Sequence, residues 1–356
     1  TSTVTGTSFG TISTLGIALM GVSEASGIPA PLMAGAIVSG AYFGDKMSPL
    51  SDTTNVAPAV SGTAVYEHIN SMMFTTVPSL AISVVAFYFL GLGAGGEVDP
   101  ASIEALKSSL EANFNVGPVT LLPALTILVM SVRKAPALPS LAAGVVVSCL
   151  SAIATQGTRI QALAKAATNG FTGQTGNQAL DTLLTRGGVM SMLPTVLLIL
   201  AATALGGVLR ETGTVRRLVD ELLVRVKSRG GLVLATLSSC YLTLVASGNQ
   251  MLAIIVPGQA FKDAFAMRGL HPKVLSRTLE DAGTLGAPLI PWSTAALFIH
   301  GMLKVPSTGY WKYALLNWIT PLVAIALALT GRCLFHLEVG TGRITENPEG
   351  GIHGDH

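Results

Sequence analysis

Long apolar runs dominate the chain, and the places where they stop carry the information. Runs suited to membrane spans cover residues 3–24, 31–60, 71–91, 118–132, 138–155, 189–209, 231–247, 248–266, 270–303 and 313–331. A helix needs about 20 mostly apolar residues to cross a bilayer core. Several of these runs are short or rich in glycine and proline, which in membrane bundles lets helices approach closely. The pattern predicts an all-α, polytopic membrane protein. Two runs, 31–60 and 270–303, are interrupted and read as broken helices.

The first interruption is "GAYFGDKMSPLSDTTN", residues 40–55. Upstream, residues 30–43 carry no charge; then Asp45, Lys46 and Asp52 arrive together with Gly44, Pro49 and a set of hydroxyl and amide side chains. Irregular backbone at membrane depth is tolerated only where it faces protein or water. Ionisable groups in a span cost several kcal/mol by most estimates and mark ion or proton paths. Asp45 and Asp52, with Ser48, Ser51, Thr53, Thr54 and Asn55 as neutral donors, form a set of hard oxygens. Such oxygens suit a hard cation such as Na+, with Asp45 and Asp52 as its expected ligands. Lys46 is placed to neutralise a carboxylate when the cation is absent.

The second interruption, "GAPLIPWST", is uncharged, and its acids lie one to two turns earlier in "SRTLEDAGT": Glu280 and Asp281, followed by Thr284 and, past the break, Ser293. Two adjacent carboxyls raise one another's proton affinity, which suits proton exchange.

The two interruptions belong to a longer correspondence. With residue n set against n + 242, Gly6 falls on Gly248, Gly16 on Gly258, Gly27 on Gly269, Gly44 on Gly286, Pro49 on Pro291 and Ser51 on Ser293. Each half reads as a polar motif ("TGTSFG", "ASGNQM"), an apolar helix, a glycine turn and a Gly-to-Pro break. The expected organisation is a first repeat over 1–91, connecting spans and loops over 92–230, a second repeat over 231–335 and a polar tail over 336–356. An inverted pair of repeats with discontinuous helices is the sequence pointer to a secondary transporter's binding site. Thr7, Ser8, Asn249 and Gln250 head matching helices and are candidates for a substrate carboxylate, since helix N-termini favour anions.

Charge refines this picture. Only 11% of residues are charged, against about 25% in soluble domains, and a net charge of +2 gives nucleic acid no hold. The bilayer is the expected partner, and a homo-oligomer is left open. Lys and Arg in the loops place the 92–117 connection outside and the basic 210–229 stretch inside. This makes 71–91 run outward, 313–331 run inward and the two repeats oppositely oriented. Within 211–229 the apolar residues recur at helical spacing, which predicts an amphipathic helix along the membrane surface. Cys149, Cys240 and Cys333 lie far apart and read as small buried hydrophobes. His68, His300 and His336 read as interfacial. No nucleophile elbow, phosphate-cradling loop or HExxH motif occurs, so an enzyme is not expected, nor any cofactor beyond the transported ions. The Gly-rich "GFTGQTGNQ" of 170–178 reads as an external loop or lid.

"SGAYFGDKMSPLSDTTNVAP" together with "SRTLEDAGTLGAPLIPW" resembles the NhaC family of sodium/proton antiporters, and "TGTSFGTISTLGIALMGV" fits the same pattern. The resemblance covers nearly the whole chain. It implies exchange of Na+ for H+ across the bacterial inner membrane, with Asp45, Asp52, Glu280 and Asp281 as the carried-over positions. Some relatives couple such exchange to small organic anions, as in malate/lactate exchange, or to amino acids, which is the alternative reading. Family members are longer at the N-terminus, and the chain opens at Thr1 inside an apolar segment, so an N-terminally truncated chain is expected.

Overall fold

The computed structural model describes residues 1–94, 100–133, 137–177, 180, 181, 184, 185, 187–224, 226 and 228–336. Among them no strand longer than an isolated bridge occurs. The expected tail beyond residue 336 lies outside the described residues, as do Arg225 and Lys227 of the basic stretch.

The amino-terminal third is built from short helices α1 (Ser2–Thr5), α2 (Ser8–Thr11) and α3 (Ile17–Ala25), the last two joined by a π-turn over Ile12–Gly16. They lead to α4 (Ala30–Lys46), α5 (Asp52–Ser61) and the long α6 (Val65–Ala94). Helices α7 (Pro100–Asn113), α8 (Leu122–Val132), α9 (Ala137–Gln156), α10 (Ile160–Asn169), α11 (Val189–Glu211) and α12 (Thr214–Val224) connect them to the carboxy-terminal third. There α13 (Arg229–Ser247), α14 (Gln250–Met267), α15 (Pro272–Leu279), α16 (Thr294–Leu303), α17 (Ser307–Tyr310) and α18 (Leu315–Thr330) follow.

By length and composition, Val65–Ala94, Val189–Leu209 and Arg229–Ser247 can each cross a membrane. Two bent pairs bring the described total to five, Pro272–Leu289 with Thr294–Leu303 at 47° and Ser307–Tyr313 with Leu315–Thr330 at 55°. Of the other expected runs, 138–155 and 248–266 each fall on a single helix, α9 and α14, and 3–24, 31–60 and 118–132 on shorter ones. The outward face of α6 exposes Met73, Phe74, Val77, Ile82, Val85 and Phe89, while its serines, threonines and His68 are buried. That inside-out distribution suits an apolar surround, because in water so large an exposed apolar face would need a covering partner.

Both expected breaks are present. In the first, α4 stops at Lys46 and α5 resumes at Asp52; Pro49 lies between and cannot continue a helical ladder. In the second, α15 passes into a π-turn over Glu280–Thr284 and a 3-10 turn over Ala287–Leu289 before α16 resumes, capped by the Ser293 hydroxyl on Ala296 N–H. π-turns within helices are frequent at functional sites.

Backbone and contacts recur between the thirds at the spacing read in the sequence. Gly6 and Gly248 both adopt left-handed φ, 67° and 62°, as do Gly27 and Gly269 at 65° and 66°, and Gly62 and Lys304 at 86° and 58°. Thr7 and Asn249 both cap the next helix through a side-chain oxygen. A Cβ on Gly6 would meet Leu50 at 2.7 Å, and one on Gly248 would meet Trp292 at 3.0 Å. Gly16 abuts Ile37 as Gly258 abuts Leu279, at 3.0 and 2.9 Å. All these pairs differ by the same 242 positions.

Two expectations are corrected. The amphipathic helix begins at Thr214 rather than 211, broken off from α11 at the left-handed Gly213, and its described part is Thr214–Val224. Its apolar residues Val215 and Val219 are buried, Val219 joining the core of α13, α14 and α15, while Leu218 is exposed. His68, expected at an interface, is fully buried.

Candidate functional site

The polar interior gathers where the two breaks meet. Asp45, in the last turn of α4, is buried, and one carboxylate oxygen accepts from the Ser8 hydroxyl at 2.7 Å. Its other oxygen has no protein partner. Ser8 reaches it because Gly6 turns the chain sharply and Thr7 starts α2 with its hydroxyl on Gly10 N–H.

Lys46, the next residue, points across the molecule and forms a fully buried ion pair with Asp281 in the π-turn. The same Asp281 oxygen accepts from the Thr75 hydroxyl of α6 at 3.0 Å. Glu280 is fully buried, and neither of its oxygens finds a protein hydrogen bond. The hydroxyls of Thr284 and Thr53 and the charges of Lys46 and Asp45 are its electrostatic neighbours. Asp45, Lys46, Glu280 and Asp281 therefore form one buried ionic cluster, with a second buried cation, Arg277, one turn before Asp281.

Not every expected residue joins it. Asp52 is exposed, and its carboxylate accepts from the N–H of Thr53 at the start of α5. Asn55 is also exposed, and its amide donates to the carbonyls of Pro49 and Ser51. Thr54 donates to the carbonyl of Lys46, and Ser48 accepts from Leu50 N–H. These side chains complete the break itself: backbone carbonyls freed by a helix end need donors when water is absent. Ser293 does likewise, donating to the carbonyl of Ala287 at 2.5 Å. Asn249 is engaged as a cap, and Gln250 is half-buried at the start of α14. The structure thus draws Asp45, Ser8, Thr53, Glu280, Asp281 and Thr284 together and leaves Asp52 and Asn55 at the surface. Among the described residues no cluster of three His, Cys, Asp or Glu side chains forms a metal site.

Thr75 was missed in the sequence. The signal was available: His68, Ser71, Thr75, Ser79 and Ser83 interrupt the α6 run at helical spacing and are buried on one face.

Charge counting defines what this interior can do. Three buried carboxyls, Asp45, Glu280 and Asp281, face two buried cations, Lys46 and Arg277. An unpaired buried carboxylate is strongly unfavourable. The surplus acid is satisfied by one proton or by one monovalent cation.

Comparison with known proteins decides the family. Residues 40–332 match the Na+/H+ antiporter family. The chain belongs to that family. It is 39% identical over 328 residues to the Na(+)/H(+) antiporter NhaC of Bacillus subtilis, covering 92% of this chain and 72% of that protein. It is 38% identical to the Na(+)/H(+) antiporter NhaC of Alkalihalophilus pseudofirmus, covering 93% of this chain and 71% of the relative. The malate-2H(+)/Na(+)-lactate antiporter of Bacillus subtilis is 34% identical, covering 96% and 73% respectively. No solved structure matches. As a member of this antiporter family with several apolar helices, the chain is a multi-pass membrane protein.

Proposed function

We propose that the protein exchanges Na+ for H+ across the plasma membrane, using the interior where the two breaks meet as the shared site. The observation that carries this reading is the surplus carboxyl: three buried acids against two buried cations. Na+ and H+ then compete for the same uncompensated charge, and that competition is the core of an antiport cycle. Asp45 and Glu280, whose oxygens keep unused lone pairs, are the Na+ ligands, with the hydroxyls of Ser8, Thr53 and Thr284 beside them. Asp281 is the proton carrier. When it is ionised, Lys46 holds it; when it is protonated, Lys46 is free to shift, altering the field at Asp45 and Glu280.

The repeated caps and glycine contacts support two structural units. Loop charge supports their opposite orientation, with the break region alternately open to either side. An organic-acid cargo at Thr7, Ser8, Asn249 and Gln250 is less supported. The oxygens of Thr7 and Asn249 already accept helix N–H groups, and Ser8 donates to Asp45.

Purified protein reconstituted in liposomes tests the reading. Wild type is expected to dissipate a pH gradient on addition of Na+, and Asp45→Asn and Glu280→Gln to abolish that response while the protein stays folded. Full Na+-driven proton flux in both variants, or flux driven only by malate or lactate, would overturn it.

A further inference from the structure

The ion-exchange site accounts for Asp45, Lys46, Glu280 and Asp281, but it leaves the buried imidazole of His68 without a task. His68 lies one residue beyond the exposed Tyr66–Glu67 pair at the start of α6, and it is fully buried. Burying an imidazole inside an apolar bundle is costly unless both nitrogens are served. One is: Nδ1 and the Ser276 hydroxyl of α15 share a hydrogen bond at 2.6 Å. The other, Nε2, has no protein partner.

The surroundings of His68 lead toward the site along two helices. On α6, Ser71 follows by three residues and Thr75 by four more, so all three share one helical face; all are buried, and the Ser71 hydroxyl is unpartnered. Thr75 is hydrogen-bonded to Asp281. On α15, Ser276 precedes Glu280 by four residues, again one turn. Unpartnered buried polar atoms recur along this face, at His68 Nε2, Ser71 Oγ, Thr76 Oγ1 and Asp281 Oδ2. Such atoms are hosts for bridging water.

The ionisable groups around the imidazole are few. Lys46 of α4 is its electrostatic neighbour. From α15 come Lys273 and Arg277, both drawn toward the Phe335 ring. Helix α5 offers only the exposed Asp52, α18 carries no ionisable side chain, and α6 itself adds the exposed Glu67. Among the described residues no carboxylate pairs with the ring, so none of them holds it permanently as a cation.

We infer that the His68 face of α6, running through Ser71 and Thr75 to Asp281, is the proton branch of the exchange site, separate from the Ser8–Asp45 side that takes Na+. In this route the imidazole takes a proton on one ring nitrogen and gives up the proton on the other. It ends the step neutral. Each hydroxyl takes the incoming proton on its oxygen as it gives up its own, so Thr75 hands a proton to Asp281 and the Lys46–Asp281 pair loosens. One proton leaves the water at the α6 mouth and one appears on Asp281. The inference rests on the Na+/H+ reading above and assigns that reading's second ion its own path.

Two assays on the same proteoliposomes separate the branches. Exchange of 22Na+ for Na+ at equal pH on both sides needs no proton movement, whereas Na+-driven proton flux does. His68→Gln keeps a hydrogen-bonding side chain but cannot relay a proton. It is expected to slow Na+/H+ exchange by about a hundredfold, the low end of what a positioned acid–base group contributes, while Na+/Na+ exchange persists. Ser71→Ala is expected to show the same split. Loss of both modes together, as a purely structural role would produce, overturns the inference, and so does retention of both. Should His68→Gln fail to reach the membrane, Ser276→Ala, which removes the Nδ1 partner, carries the same comparison. Wild-type protein that moves no Na+ in either assay defeats the parent reading, and the proton branch falls with it.

Discussion

Lys46 and Asp281, 235 positions apart in sequence, close a fully buried ion pair that ties the end of α4 to the π-turn after α15. Removing one partner of such a pair strands a charge and costs about 3–5 kcal/mol, whereas replacing both by apolar groups is often neutral. Lys46→Met and Asp281→Leu singly are therefore expected to lower the melting temperature in detergent sharply. The double variant should recover most of that loss while remaining unable to exchange Na+ for H+. A double variant no more stable than the singles would contradict the pairing.

Ser8 donates to Asp45 at 2.7 Å. A hydrogen bond to a charged group contributes about 1.5–3 kcal/mol. Ser8→Ala removes the bond that orients the Asp45 carboxylate for the cation. The half-saturating Na+ concentration is expected to rise by at least roughly tenfold, the equivalent of about 1.4 kcal/mol. Ser8→Thr, which keeps the hydroxyl, should stay close to wild type.

Asp52 sits at the surface with its carboxylate on Thr53 N–H. Asp52→Asn is expected to keep Na+/H+ exchange and lose only part of the favourable charge at the α5 N-terminus, about 0.3–1 kcal/mol. Measured antiport at wild-type rates, set beside a silent Asp45→Asn, would confirm the division between the two carboxylates.

Gly6 and Gly27 have nearly the same left-handed φ, 67° and 65°, but only Gly6 has a neighbour within reach, Leu50 at 2.7 Å. Gly27→Ala is expected to cost only the conformational penalty, about 1–2 kcal/mol. Gly6→Ala should cost more, because the Leu50 backbone must also move. Gly248 against Gly269 offers the same comparison, with Trp292 at 3.0 Å as the obstacle at Gly248. Melting temperatures of the four variants measure the difference directly.

Asp181 is half-buried in a helical turn between α10 and α11, and the N–H and hydroxyl of Thr175, in the loop before it, donate to it at 2.6 and 2.8 Å. Those bonds hold its carboxyl below the usual carboxylate range. A depressed folded-state pKa contributes stability that is present above the unfolded value and lost as pH falls through the folded one. The loop should resist limited proteolysis at neutral pH and open to it under acid. In Asp181→Asn it should be cleaved readily at both.

The breaks were legible because glycine and proline punctuate an otherwise unbroken apolar run, and helical backbone cannot pass them unchanged. The fate of Asp52 was not. Asp45 and Asp52 are seven residues apart, two turns of an uninterrupted helix, and would share a face. The irregular Met47–Ser51 segment resets that phase and turns one carboxylate in and the other out. The partner of Lys46 was likewise beyond reach, because it depends on how two distant breaks are docked. Thr75 and His68 follow the α6 spacing and could have been read from it.

Thr54, Asn55 and Ser293 tie down the carbonyls that the two breaks release. The backbone of the two breaks is therefore closed by side chains other than the buried carboxyls, so a change at a carboxyl leaves the frame of the breaks in place.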